Sequence, residues 1–157
     1  MSLKNYTTEV PANRSIAEIQ EMLQKRGVSG VMMEYDPQGT GRIESLAFKI
    51  NINGQAWGFK MPLRWRQALQ TLYRGKRAPR YYRQSQQDAA LRTREDHAYR
   101  VAWRILRDWV DVQMALVDLE IVQIQEVFLP YVVQRNGQTL FENIVTDPSL
   151  LLGSGNQ

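Results

Sequence analysis

The chain has no cysteine and a single histidine, His97, among its 157 residues. Without cysteine there is no disulfide, no thiolate metal site and no thiol nucleophile. One histidine, set in the charged stretch TREDHAYR, has no partners for a histidine-based zinc site or a hydrolytic triad. It reads as a solvated helix residue. Long apolar runs are also missing: the longest, VFLPYVV, falls far short of a membrane span. The opening MSLKNYTTEV holds no apolar stretch of the signal-peptide kind. The expectation is a soluble cytoplasmic protein without a membrane partner. The glycines of DPQGTGR lack the lysine and the strand–loop–helix setting of a phosphate loop. There are no internal repeats and no low-complexity tract. Nothing gives a positive reason to expect an enzyme, a cofactor or a metal.

What is present is arginine, in one place. Fifteen of the twenty basic residues are arginine, whose planar fork matches phosphate and stacks on flat rings. The net charge of +4 hides an asymmetry. Residues 1–59 carry six basic and six acidic groups, residues 60–107 thirteen against three, and residues 108–157 one against seven. The local balances are therefore zero, +10 and −6, which sum to the +4 of the chain. Such a basic block is the footprint of a phosphate-binding surface, unless the acidic third neutralises it in the fold.

At 157 residues, 43% of them hydrophobic and 23% charged, the chain has the make-up of one ordinary globular domain. Residues 1–13 read as an extended arm. Ser15 and Glu18 have capping-box spacing, Ile16, Ile19, Met22 and Leu23 form one apolar face, and Gly27 stops that helix. Three strands follow: GVMMEYD, then after PQGTG the run RIESLAFKINI, then the segment after Asn53-Gly54, a strong two-residue hairpin signal. That turn sets Ile52 opposite Gln55, Ile50 opposite Trp57, Phe48 opposite Phe59 and Leu46 opposite Met61. The other face pairs Asn51 with Ala56, Lys49 with Gly58 and Ala47 with Lys60. One face is apolar and the other small and basic, and a one-residue slip would exchange them.

Pro62 opens a helix over LRWRQALQTLYR, which Gly75 stops. Residues 75–88 read as a mobile basic loop. A long helix then spans about 88–119. Ala98, Ala102, Ile105, Trp109, Val112, Leu116 and Leu119 recur at coiled-coil spacing, and Tyr99, Leu106, Val110 and Val117 form a second stripe. A homodimer or larger assembly would cover the seam, and so would the sheet and the C-terminal segment of the same chain. Arg104 with Asp108 and Arg107 with Asp111 are spaced as ion pairs. IVQIQEVFLPYVV is broken by Pro130, Asn136-Gly137 marks a turn, and residues 153–157 read as a disordered tail. The expected fold is α+β, an antiparallel hairpin sheet packed on one long helix with shorter helices beside it.

GKRAPRYYR, residues 75–83, combines basic residues with two adjacent tyrosines and no acid. A plain solvated linker can have this composition, and so can a single-stranded nucleic-acid site, where arginines track phosphates and aromatic faces stack on bases. The candidate contact set is Lys76, Arg77, Arg80, Tyr81, Tyr82 and Arg83. Arg64, Arg66 and Arg74 extend it before the loop, and Arg92, Arg94 and Arg100 after it. Lys49 and Lys60, on the small face of the hairpin, would line a sheet platform. Of the tryptophans, Trp57, Trp103 and Trp109 read as core and Trp65 stays open. A third line of chemistry, a magnesium nuclease, needs Glu34, Asp36 and Glu44 to converge.

The run RVAWRILRDWVDVQMALVDLEIVQIQEVFLPYVV, with NGQTLFE after it and EYD, LAFKI and FKMP before it, resembles a set of small proteins encoded by bacteriophages, prophages and mobile elements. The likeness spans about Ile16 to Glu142. It carries over no functional residue. It implies a setting in a phage-infected or lysogenic bacterium, among replication and recombination genes. That favours a non-enzymatic, sequence-tolerant single-stranded DNA-binding protein, and equally an anti-defence protein or inhibitor aimed at a host protein or a nucleotide.

Overall fold

A computed structural model describes residues 2–151; the expected disordered tail, 153–157, lies outside the described residues. The elements in chain order are α1 (Ala12–Gln24), β1 (Val28–Tyr35), β2 (Ile43–Ile52), β3 (Gln55–Pro62), α2 (Trp65–Tyr73), α3 (Gln84–Asp118), α4 (Ile124–Val127) and α5 (Leu140–Thr146). The fold is α+β, with one three-stranded antiparallel sheet in the order β1-β2-β3 and one long helix among shorter ones. No helix among the described residues is long and apolar enough to cross a membrane. The chain divides into two compact units, each discontinuous in sequence. One runs up to Met22 and resumes over Leu63–Val112; the other takes Leu23–Pro62 and the chain from Gln113 onward.

The sheet unit is organised by its turns. Asn53 and Gly54 both have positive φ, 51° and 79°, the backbone that a tight two-residue hairpin turn demands. The register follows: Ile50 opposes Trp57, Phe48 opposes Phe59, Leu46 opposes Met61, and on the reverse face Lys49 opposes Gly58 and Ala47 opposes Lys60. β1 adds Val31 beside Phe48 and Met33 beside Leu46. The apolar face is closed by Phe128, which meets Phe48 edge-on at 4.9 Å and Phe59 at 5.8 Å, while Phe48 and Phe59 stack at 5.1 Å. The Pro130 segment resolves into α4 and a 3-10 turn, after which Val133 donates its N–H to the carbonyl of Gly58 at 2.8 Å. Thr139 and Glu142 form a reciprocal capping box on α5.

In the helical unit, α1 begins at Ala12, directly after Pro11, and not at a Ser15 cap. Ser15 lies inside the helix, fully buried, its hydroxyl without a hydrogen-bond partner among the described residues. The arm before it is not simply extended. Asn5 adopts a left-handed φ of 61° within a turn, and the Asn5 amide and Lys4 ammonium hold Asp108 at 2.9 and 3.3 Å. Glu18 takes Arg104 and Arg107, both at 2.8 Å. Arg107 makes the expected pair with Asp111, at 3.1 Å, but Arg104 turns to Glu18 instead of Asp108.

The buried residues of α3 are Ala98, Val101, Trp103, Val110 and Met114, whereas Val112 and Leu119 of the expected seam are 59% and 69% exposed. Ala98 of the seam and Val110 of the second stripe are buried, but Val101, Trp103 and Met114 belong to neither, so spacing alone does not pick out the buried side. Trp65 is a core residue, 2% exposed, with Tyr99 edge-on to it at 6.3 Å.

Candidate nucleic-acid interface

The basic segment is shorter and more shaped than a mobile loop over 75–88. Gly75, at φ 72°, turns the chain away from the end of α2. Tyr82 closes a turn by donating its N–H to the Pro79 carbonyl at 3.0 Å. The carbonyl of Arg83 then accepts the amides of Gln86 and Gln87, both at 3.0 Å, which starts α3 at Gln84. Glutamine and alanine are good helix formers, so QSQQDAA continues the long helix where composition suggests a linker.

Arg94, on α3, ties the segment down. Its guanidinium donates to the Lys76 carbonyl at 2.9 Å and lies 5.0 Å from the centre of the Tyr73 ring. Tyr73 is itself held. Its hydroxyl is 2.6 Å from Nδ1 of His97, and Nε2 of His97 meets the carbonyl oxygen of Tyr6. A carbonyl only accepts, so Nε2 carries a proton, and in the neutral ring Nδ1 accepts from the tyrosine. The one histidine is thus a structural link rather than a solvated side chain.

This arrangement gathers Lys76, Arg77, Arg80 and Arg94 around one concavity of about 500 Å³, with Asp88 the only acid in its lining. Asp88 is occupied by the side-chain amide of Gln84 at 2.8 Å. A second depression of about 420 Å³, lined by Leu69, Tyr73, Arg74 and Leu91, shares Leu91 and Arg94 with the first. Among the described residues, none of Arg74, Lys76, Arg77, Arg80, Arg83, Arg92 and Arg94 pairs with a carboxylate. Elsewhere several cations are matched, Lys4 with Asp108, Arg26 with Asp118, Arg104 and Arg107 with Glu18, while Lys49, Arg64 and Arg135 are exposed and make no ion pair among the described residues. Tyr81 is 84% exposed and meets the half-buried Tyr82 edge-on at 5.3 Å.

Arg64, Arg66, Arg92, Arg100, Lys49 and Lys60 line neither hollow. Arg64 is exposed immediately before α2. Arg66 lies over the Trp65 ring at 4.6 Å. Arg92 is exposed on α3, while the Nε of Arg100 is buried without a hydrogen bond. Lys49 and Lys60 belong to the sheet unit. Lys49 is exposed, but Lys60 is committed to Glu34 at 2.7 Å. The hydrogen bond from Lys60 holds the Glu34 carboxyl below its ordinary range, despite partial burial and with help from Ser45.

Convergence of the acids on a metal does not occur. Asp36 accepts from the Gln38 amide and the Thr40 hydroxyl, both at 2.8 Å, and so shapes its own turn. No cluster of three acids or histidines with metal-holding spacing exists among the described residues. Sequence reasoning missed Tyr73, Leu69 and Leu91. The four-residue spacing of Leu69 and Tyr73 on α2 is the signal that places them on one face.

Compared with known proteins, the chain matches no family model, no curated protein and no solved structure.

Proposed function

We propose that the protein is a non-enzymatic, sequence-tolerant binder of single-stranded nucleic acid, with DNA the favoured substrate. In this reading it works in the cytoplasm of a phage-infected or lysogenic bacterium, in replication or recombination. One observation carries it: Lys76, Arg77, Arg80 and Arg94, none paired with a carboxylate among the described residues, line one concavity, and the exposed Tyr81 follows Arg80 directly. Cations kept clear of carboxylates are available to exchange their counterions for phosphates, and Tyr81 offers a face to a base. A second copy of the chain would cover Val112 and Leu119, the exposed positions of the α3 seam.

The test is fluorescence anisotropy with labelled single-stranded and duplex oligonucleotides across a salt series. Single strands bind more tightly, and the log–log salt slope is steep. Charge reversal at Arg77, Arg80 and Arg83 flattens that slope by about two units, since each phosphate on a single strand contributes about −0.7. A triple variant that binds as the parent does removes this segment from the site. The concavity of the basin also suits a compact anion, and that is the observation favouring an inhibitor of a nucleotide-dependent partner. Such a protein shows no salt-steep strand binding in the same assay.

A further inference from the structure

We infer that the basin holds the terminal phosphate of a nucleotide, a monoester or polyphosphate, rather than a phosphodiester of a strand passing across it. The inference deepens the strand-binding reading and rests on it where the phosphate is a strand end; a free nucleotide supplies the same chemistry. Three features point this way. A strand in transit presents single negative charges one after another and is served by cations in a line. Here Lys76, Arg77, Arg80 and Arg94 instead surround one concavity. A phosphate monoester carries about −1.5 to −2 at neutral pH, and a polyphosphate more, which matches convergent cations better than one diester does.

Second, the basin is preformed. Arg94 is fixed by the Lys76 carbonyl and the Tyr73 ring, and Tyr73 in turn by His97, so at least one planar fork is oriented before any ligand arrives. Among the described residues, Arg77 and Arg80 have no side-chain partner to give up. Third, the adjoining depression offers Leu69, Tyr73 and Leu91 as an apolar wall, with Arg94 common to both hollows. A base there and its phosphate in the basin would meet at Arg94. Each hollow, near 500 and 420 Å³, lies within the size range of small-molecule sites.

The experiment compares one short single-stranded DNA with a hydroxyl at both ends, with a 5′-phosphate and with a 3′-phosphate. A nucleoside triphosphate is titrated separately by calorimetry. The proteins are the full chain, the Arg77→Gln/Arg80→Gln variant, and Arg135→Gln as a charge control in the sheet unit. A terminally phosphorylated strand is expected to bind about tenfold more tightly than the unphosphorylated one, the effect of one charge-assisted hydrogen bond. The double variant loses that preference while melting as the parent does, and Arg135→Gln keeps it. If no strand binds but the triphosphate does, and the double variant loses it, the basin inference stands with a free nucleotide as source and the strand reading falls. If all three strands bind alike and the triphosphate does not bind, the inference is overturned and the strand reading survives. Absence of binding by every probe removes both.

Discussion

The guanidinium of Arg94 reaches back 18 residues to donate to the backbone carbonyl of Lys76 at 2.9 Å. A side chain on a long helix thereby sets the path of the segment that carries the other basin cations. Replacing Arg94 by Lys keeps the charge but loses the fork and the flat face laid on Tyr73. Arg94→Lys is expected to raise the exchange rates of backbone amides over residues 76–80 in hydrogen-exchange measurements. The tether is partly exposed, so it contributes only about 1 kcal/mol to global stability. Unchanged exchange over 76–80 would show that the segment holds its shape without the tether.

Gly54 is the second position where one residue sets a larger arrangement. Its φ of 79° lies in the left-handed region, and a Cβ added there meets nothing within 4 Å. The cost of a side chain is therefore conformational, not a collision. Gly54→Val is expected to lower unfolding free energy by about 1–2 kcal/mol, read from the urea midpoint. Asn53→Gly, which keeps the turn geometry accessible, should move it by only a few tenths of a kcal/mol. Equal effects of the two substitutions would mean that the register is not set by this turn.

The difference between what the sequence made legible and what it hid follows from periodicity. β2 and β3 alternate with a period of two about a two-residue turn, so every pair from Leu46–Met61 to Ile52–Gln55 could be read off the chain. α3 offered no such contrast. With Ile105, Trp109 and Val112 competing against Trp103, Val110 and Met114, the buried side was decided by packing that spacing does not encode. Trp65, flanked by arginines, kept its burial hidden for the same reason. The basic segment was legible as charge. Its concavity was not, because that depends on a bond from Arg94 to a backbone carbonyl and on α3 starting at Gln84. Neither leaves a mark in composition.

Acid should act on the helical unit through Glu18 and Asp108. At Glu18 burial alone would raise the pKa, but the hydrogen bond from Arg107 and the charge of Arg104 outweigh it and leave the carboxyl below its ordinary value of 4.5. At Asp108 burial is again outweighed, here by hydrogen bonds from Asn5, Lys4 and Arg107, leaving the pKa below 3.8. A depressed folded-state pKa contributes stability that is complete above the unfolded value and is lost as pH falls through the folded value. Unfolding free energy should therefore be level from neutrality to about pH 5 so far as these groups contribute, and then decline. Glu18→Gln should be less stable than the parent at pH 7, with the gap narrowing as pH falls below the ordinary carboxylate value of 4.5, as followed by urea titration at each pH. A constant gap across that range would mean that Glu18 stabilises by packing and not by charge.

Tyr81 separates the two readings of the basic segment most cleanly, because it is 84% exposed and its ring contact is with its neighbour Tyr82. Removing an exposed side chain from a surface turn should leave stability within about 0.5 kcal/mol of the parent. If its free face stacks on a base, Tyr81→Ala weakens single-strand binding by about 1–3 kcal/mol, while the salt slope stays the same because no phosphate contact is lost. Arg77→Gln should do the converse, flattening the slope by about 0.7. The pair of variants therefore resolves stacking from charge in one titration series. A Tyr81→Ala protein that binds as the parent does would leave the cations as the whole of the interface and make the tyrosine a plain surface residue.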